Sequence, residues 1–268
     1  MTTPGVAVIA GVVKRRPYLC ACFAGGAVMR VTHCNVDGLH PHRDAPGMKV
    51  TYYLEVLSSW CYWAEPTWAE LKTRYAPRGV EFDWKIALMK PEDFPVSQQQ
   101  YEWFLQRSGG SVMRSPFKLN PGWLDFPVTA ETYPAASAVA EAARALGAKG
   151  DAVRLALAHA GEREGRKMGR IAEAVAVAAQ VSGLEAKKLR AAAESAEVKA
   201  RINATTAEFF AHQIGQRPAF VLEDDIGDKA VFSGLVRIEP LAATIETMLA
   251  DTAAYAAHQA HYGTPPAQ

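Results

Sequence analysis

The short stretch best equipped for chemistry is LSSWCYW, residues 57–63, which follows an apolar run. It places a hydroxyl, Ser58, and a thiol, Cys61, three residues apart among aromatic side chains. A free cysteine one turn into a helix is commonly buried and inert, whereas an ionised thiol is a nucleophile. The sequence favours a buried, structural Cys61 and leaves a reactive monothiol open as the alternative.

A β-α-β unit must position this stretch. KVTYYLEVL reads as a continuous apolar strand, CYWAEPTWAELKTRYAP as a helix, and VEFDWKIALM as a second strand in which apolar and charged residues alternate. Two parallel strands joined through a helix imply a right-handed crossover. LSSWCYW therefore lies at the junction between the first strand and the helix.

The rest of the chain predicts a helical segment followed by a hairpin. Residues 90–134 are rich in Pro and Gly and indicate loops and short helices. Residues 135 to about 213 are Ala-rich and helical, with apolar stripes at helical spacing. RPAFVLED and KAVFSGLV, separated by DDIGD, predict an antiparallel hairpin, and EPLAATIETMLAD begins a final helix. The order predicts an α/β protein with a thioredoxin fold and an inserted all-helical domain.

The predicted domain limits follow from these patterns. A disordered N-terminal extension covers 1–47, the thioredoxin-fold domain covers 48–90 and 214–257, the helical insertion covers 91–213, and a tail covers 258–268. The extension is interpreted as upstream sequence ahead of a start at Met48, with a weak export signal as the alternative. Zinc binding is disfavoured because its Cys and His residues do not form two closely spaced ligand pairs; they are Cys20, Cys22, Cys34, His40 and His42.

Composition narrows the class of protein. The 268 residues carry 29 basic and 28 acidic side chains, and the basic ones are interspersed with acidic ones. No electrostatic footprint for nucleic acid or anionic lipid results. No apolar run reaches the roughly 18 residues that span a bilayer. We therefore expect no nucleic-acid or membrane partner, and no metal for the reason given above. The four cysteines do not form the regularly spaced set of a disulfide scaffold, so a reducing cytoplasm is the default location. The sequence leaves the oligomeric state open, a homodimer included.

SSWC at the strand-to-helix junction and GQRPAFV at the third strand carry a family resemblance. The chain resembles the DsbA-like branch of the thioredoxin superfamily over nearly all of residues 48–255. Within that branch it is most similar to the group of FrnE-like oxidoreductases, kappa-class glutathione transferases and 2-hydroxychromene-2-carboxylate isomerases. Laid onto the C-x-x-C motif of the oxidoreductases, Ser58 takes the attacking position and Cys61 the second. The transferases and isomerases also have serine there, where it contacts the thiol of glutathione.

Serine in that position changes the available chemistry. A hydroxyl cannot form a disulfide, so Ser58 and Cys61 cannot cycle as a dithiol unless another cysteine takes part. Ser58 can instead donate a hydrogen bond to a bound thiolate at the helix N-terminus, which favours anions. Such a bond is worth about 1.5 to 3 kcal/mol, which would lower a thiol pKa of about 8.5 by roughly one to two units.

The resemblance also assigns roles around the third and fourth strands. It implies that the Arg217–Pro218 bond is cis and faces the junction. Arg217 is then either a cationic donor to a glutathione carboxylate or an exposed arginine that serves solubility. Ser233 corresponds to the serine of a Ser-Asp pair that holds the γ-glutamyl group in kappa-class enzymes. The acid is missing beside Ser233, which counts against glutathione.

The aromatic residues of the junction suggest an acceptor surface. Trp60, inside the motif, is the best candidate to line a hydrophobic acceptor cleft, whereas Trp63 and Trp68 are expected in the core. His159 and His212 show no partner in the sequence and receive no catalytic role.

Three functional hypotheses result. The first is an enzyme that uses bound glutathione or a similar low-molecular-weight thiol on an apolar acceptor, as a transferase, isomerase or reductase. The second is an atypical disulfide oxidoreductase in which Cys61 acts alone through mixed disulfides, and a thiol-containing peptide is a possible partner of the site. The third is a non-catalytic module that binds peptides in the same groove.

Overall fold

The computed structural model describes residues 9–10, 47–106, 119–120, 125, 129, 132–234 and 237–263. Most of the predicted extension lies outside these residues, including its five candidate zinc ligands and its export-signal segment. The prediction of a disordered extension therefore stays a prediction, apart from Ile9–Ala10, which the structure describes as a two-residue strand.

Among the described residues, five strands form one mixed sheet in the order β1-β5-β4-β2-β3. Strand β2 is parallel to β3 and antiparallel to β4, and β4 is antiparallel to β5. The predicted parallel crossover and the predicted hairpin are both confirmed. The strands are β1 Ile9–Ala10, β2 Met48–Leu54, β3 Val80–Ile86, β4 Ala219–Asp224 and β5 Lys229–Ser233.

The α-helices in the described residues surround this sheet and build the insertion. They are α1 Ser59–Tyr75, α2 Gln98–Gln106, α3 Ala135–Ala145, α4 Ala152–Glu162, α5 Ile171–Ser182, α6 Ala186–Ala193, α7 Ala196–Ala211 and α8 Ile238–Tyr262. Short 3-10 turns cover Ala76–Arg78 and Pro91–Asp93. None of the described helices combines the length and the hydrophobicity needed to cross a membrane. Helix α8 continues through Tyr262, so residues 258–262 of the predicted tail are helical.

Strand β2, an interior strand of the sheet, is buried on both faces because helices cover the sheet on both sides. Successive strand residues point to opposite faces, so Tyr52 packs against Trp68 of α1 while Tyr53 packs against Phe209 of α7. Tyr52 also stacks on Phe220 of β4, with ring centroids 4.8 Å apart. This three-layer core holds the end of β2, and hence the junction that follows it, in a fixed position.

A buried ionic cluster fastens the helical insertion to α1. Arg154 of α4 is 2% exposed and pairs with Glu65 of α1 at 2.5 Å and with Asp151 at 2.8 Å. Asp151 also accepts a hydrogen bond from the indole N–H of Trp68 at 3.1 Å. The cluster sets the insertion against α1, beside the N-terminal end where the candidate site lies.

Candidate functional site

Ser58 caps the N-terminus of α1. Its backbone is extended, and its Oγ accepts a hydrogen bond from the N–H of Cys61 at 3.4 Å. The N–H of Ser58 itself donates to the carbonyl of Glu55 at 3.1 Å, and its carbonyl accepts from Tyr62. Serine is among the preferred N-cap residues because its side chain satisfies a free N–H of the first turn.

The helix end next to Ser58 suits an anion. Helix geometry leaves the N–H groups of Ser59 and Trp60 without partners inside the helix. The first turn contains no acidic residue, so nothing there offsets the partial positive charge of the helix end. These features allow a bound anion, such as a thiolate, to accept hydrogen bonds at this position.

Cys61 points into the core. It is 2% exposed, and its carbonyl accepts a hydrogen bond from the Tyr52 hydroxyl at 3.0 Å. Burial raises the pKa of the Cys61 thiol to about 12, although the hydroxyl of Ser58 and the backbone of Glu55 act in the opposite direction. The thiolate is the reactive form, so these observations support the structural interpretation of Cys61.

The loop before β4 lies at the same edge of the sheet as the junction. The Arg217–Pro218 peptide bond is cis, as the resemblance implied. The antiparallel register pairs Tyr53 with Ala219, so Pro218 meets the end of β2. Ser233 pairs with Ala219 across β4 and β5 and donates a hydrogen bond from Oγ to the carbonyl of Gln216 at 3.3 Å. Sequence-distant segments around Ser58, Pro218 and Ser233 are thus brought to one edge.

Arg217 turns its side chain inward. The guanidinium donates to the carbonyl of Ala87 and, at 2.5 Å, to that of Leu88. It also lies over the ring of Phe209 at 4.5 Å. The interpretation of Arg217 as an exposed, solubilising residue is therefore wrong, because the guanidinium is committed to the loop after β3. Its role toward a glutathione carboxylate stays a prediction.

The tryptophans divide as the sequence suggests. Trp63 and Trp68 are 3% and 2% exposed, whereas Trp60 is 43% exposed. The Trp60 ring meets Trp63 edge to face at 6.2 Å. The exposed Trp60 ring therefore forms an aromatic surface beside the N-terminus of α1. Its role in acceptor binding stays a prediction.

Glu55 is a site residue that sequence reasoning missed. Its side chain is fully buried beneath the junction and accepts hydrogen bonds from the Ser137 hydroxyl at 2.5 Å and from the N–H of Met89 at 3.4 Å. Burial raises the pKa of Glu55 to about 7, although Ser137, Met89 and Arg217 oppose the rise. The available signal was an acid inside the apolar run KVTYYLEVL, three residues before Ser58.

The two histidines have partners that the sequence did not show. The Nδ1 of His159 lies 3.1 Å from the Tyr62 hydroxyl, and the Nε2 of His212 lies 3.1 Å from the Tyr53 hydroxyl. In the described part of the chain, no group of three His, Cys, Asp or Glu residues is arranged to hold a metal ion.

Comparison with known protein families agrees with this geometry. The model of the DSBA-like thioredoxin domain matches residues 49–246. The chain therefore belongs to the DsbA-like thioredoxin family, a family of thiol oxidoreductases and isomerases. A search of the curated proteins gave no match.

Several solved structures share the fold. A putative protein disulfide isomerase from Nitrosomonas europaea superposes with a TM-score of 0.63 at 18% identity, over 78% of this chain and 99% of that one. The cytosolic disulfide reductase DsbM from Pseudomonas aeruginosa, in a structure with GSH, gives 0.56 at 18% identity over 75% and 98%. A 2-hydroxychromene-2-carboxylate isomerase gives 0.52 at 16% identity over 77% and 98%. At these identities the likeness extends to the fold alone.

Proposed function

We propose that the protein is an enzyme of thiol chemistry that binds glutathione or a similar low-molecular-weight thiol at the N-terminus of α1. The observation that carries the proposal is the hydroxyl of Ser58 at the N-cap of α1, next to a first turn without acids. The first N–H groups of a helix have no partner inside the helix. This arrangement can stabilise a thiolate that another molecule supplies.

Ser58 acts as a hydrogen-bond donor in this proposal. Its Oγ already accepts from the N–H of Cys61, and a hydroxyl retains one hydrogen to donate. Donation to the sulfur of a bound thiol favours the ionised form, which is the nucleophile. The thiolate then attacks an apolar acceptor or a disulfide, so conjugation, isomerisation and reduction all fit the same site.

The cis-proline loop supplies the second half of the binding groove. Among the described residues, none hydrogen-bonds to the backbone N–H or C=O of Arg217. These two groups can pair with the main chain of a peptide-like thiol such as glutathione, much as an added strand pairs with a sheet edge. Trp60, exposed at the helix end, offers a surface for the apolar part of an acceptor. Ser233 has no acid beside it in the sequence, so the groove lacks the acid that holds the γ-glutamyl group in kappa-class enzymes.

Two solved structures with this fold support the proposal. DsbM is described as a cytosolic disulfide reductase and has a structure with GSH, and another neighbour is an isomerase. A cytoplasmic location fits a protein that uses a reduced thiol, and we include it in the proposal.

The alternative of a reductase acting through Cys61 alone is disfavoured because that thiol is buried and its pKa is raised to about 12. A non-catalytic peptide-binding module is favoured by the backbone N–H and C=O of Arg217, which have no hydrogen-bond partner among the described residues. Binding without ionisation of the bound thiol would identify that second function.

Calorimetric titration with reduced and oxidised glutathione tests the proposal. We expect the wild type to bind reduced glutathione at millimolar concentration or below, and Ser58→Ala to bind it more weakly. Ser195→Ala is a matched control, because Ser195 caps α7 through the same type of bond, to the N–H of Val198. Failure of the wild type to bind either form would overturn the proposal, as would equal binding by the wild type and Ser58→Ala.

A further inference from the structure

A groove runs along α1 where the helical insertion packs beside it. Helices α1, α4 and α5 line this α1 groove, and its volume is about 580 Å³. Small-molecule sites usually enclose about 300 to 1,000 Å³ and occur preferentially at domain interfaces. The lining residues of α1 run from Tyr62 to Lys72, so at about 1.5 Å per residue the groove is about 15 Å long. It has the size and the place of a ligand site.

Apolar side chains from all three helices line most of the α1 groove. On each helix they lie three or four residues apart, which places them on one face. They include Pro66 and Ala69 of α1, Ala156 and Ala160 of α4, and Val177 and Val181 of α5. Val181 is 45% exposed although it is apolar. The apolar part of a ligand would remove this surface from water, which is favourable.

A second groove adjoins the first. This β3 groove has a volume of about 420 Å³ and lies between β3, α1 and the loop that joins α3 to α4. Trp68, Lys72 and Asp151 line both grooves, so the two form one continuous surface. The rings of Phe82 and Trp84 extend the apolar lining into the β3 groove.

The charges that line the β3 groove favour an anion. Asp83 pairs with Arg144 at 2.7 Å, and Asp151 pairs with Lys72. The third lining cation, Lys149, is exposed and has no ion pair with any described residue. Cations thus outnumber anions in the lining of this groove, and one positive charge is left over at its open side.

The far end of the α1 groove, near Tyr62, lacks such a charge. Arg166 lines it, but the guanidinium pairs with Glu173 at 3.2 Å. Glu164 also lines this end, and its Oε1 lies 3.7 Å from the Nε2 of His159. Among the described lining residues, an unpaired cation is therefore present at the Lys149 end and absent at this one.

We infer that the two grooves together bind an apolar monoanion, such as a medium-chain carboxylate. The anionic group lies near Lys149, and the apolar part lies along α1 toward Tyr62. An uncharged ligand would gain nothing from Lys149. The site is separate from the proposed thiol site, because none of the residues assigned to the thiol site lines either groove.

Competition with a fluorescent probe measures this binding in the full-length protein. The probe is anilinonaphthalene sulfonate, an apolar monoanion whose fluorescence rises when it leaves water. Decanoate and decanol compete with it, and each competition gives a dissociation constant. The two competitors have carbon chains of equal length, so a substitution that affects decanoate alone acts on the charge.

Lys149→Ala should raise the dissociation constant of decanoate by about two- to fivefold, as expected for one exposed ion pair. It should leave the constant of decanol unchanged. Lys187→Ala is the matched control, because Lys187 is an exposed lysine of α6 that lines neither groove. It should match the wild type for both competitors.

Ala69→Phe tests the apolar part of the site. Ala69 is an exposed lining residue of α1, so the added ring fills the groove without entering the core. We expect both competitors to bind more weakly by about tenfold or more, because the ligand loses apolar surface to bury. Ala243→Phe adds the same ring at an exposed position of α8 and should change neither constant.

Several results would overturn the inference. One is a wild type that binds neither the probe nor decanoate at millimolar concentration. Another is a Lys149→Ala protein whose constant for decanoate is unchanged, or changes as much as that for decanol. Wild-type affinity in Ala69→Phe would also contradict it. Ser58→Ala should bind the probe as the wild type does, and loss of binding there would place the probe in the thiol site instead.

Discussion

The N–H of Cys61 donates to the Oγ of Ser58 at 3.4 Å, across the first turn of α1. A hydrogen bond therefore links the two positions that correspond to a C-x-x-C motif. In this chain the first position carries the hydroxyl of Ser58 and the second carries the thiol of Cys61. Both side chains are buried, Cys61 at 2% and Ser58 at 6% exposure. The Ser58 oxygen lies at the N-terminus of α1, where anions are favoured.

Ser58→Cys should convert the site into a dithiol centre. The new thiol would occupy the helix N-terminus, where the partial positive charge lowers a thiol pKa. We expect the variant to reduce insulin faster than the wild type, because only the variant has two thiols in the motif, and the turbidity of precipitating insulin measures the gain.

The gain should depend on Cys61, so the double variant Ser58→Cys, Cys61→Ala should lose most of it. Ser195→Cys, at the cap of α7, should gain nothing. A folded Ser58→Cys protein without activity would contradict the assignment of residue 58 as the attacking position.

Cys61 should react very slowly in the folded protein. With a pKa raised to about 12, only about one thiol in ten thousand is ionised at pH 8, and burial restricts access further. Alkylation with iodoacetamide, followed by mass spectrometry of the peptide that contains Cys61, measures the rate. We expect the rate to rise by at least a hundredfold in denaturant, and similar rates in both states would show that Cys61 is exposed.

Glu55 should make stability depend on pH. Its pKa rises from 4.5 to about 7 on folding, so its contribution is fully present below pH 4.5 and is lost as pH rises through 7. At 1.36 kcal/mol per unit the loss is about 3 kcal/mol. Urea unfolding of the wild type and Glu55→Gln should therefore show the wild type losing about that much, relative to the variant, between pH 4.5 and 8. Parallel pH profiles would contradict the buried position of Glu55.

Arg154→Met should destabilise the contact between α1 and the helical insertion. The substitution leaves Glu65 and Asp151 buried near each other without their shared cation, and breaking such a group costs about 3 to 5 kcal/mol. Urea denaturation measures the loss. Arg78→Met, which removes an exposed pair with Glu246, should change stability little. Equal losses in the free energy of unfolding for the two substitutions would show that the Arg154 cluster does not stabilise the contact between α1 and the insertion.

The succession of elements from β2 to β5 along the chain could be predicted because each element depends on local patterns, whereas the pairing of Ile9–Ala10 with β5 was not predicted. The apolar run before residue 57 and the alternation from Val80 to Ile86 each identify a strand, and the turn at DDIGD identifies the hairpin of β4 and β5. The position of Ser58 at the strand-to-helix junction could also be predicted, although α1 begins at Ser59, two residues before the predicted start at Cys61.

The environment of the site could not be predicted, because it is built from distant segments. Glu55 looks like one more strand residue until Ser137, 82 positions later, is seen to donate to it. The sequence does not show that the Arg217 guanidinium donates hydrogen bonds to the carbonyls of Ala87 and Leu88, which lie about 130 positions earlier. Pairings across the sheet and between domains carry no periodic signal in the sequence.

The central claim is that Ser58 stabilises the thiolate of a bound thiol. The most direct test is a pH titration of the ultraviolet absorbance of bound glutathione in the wild type and in Ser58→Ala. We expect a bound-thiol pKa roughly one to two units below about 8.5 in the wild type, and a return toward 8.5 in Ser58→Ala. A wild-type value near 8.5, or equal values in the two proteins, would contradict the account.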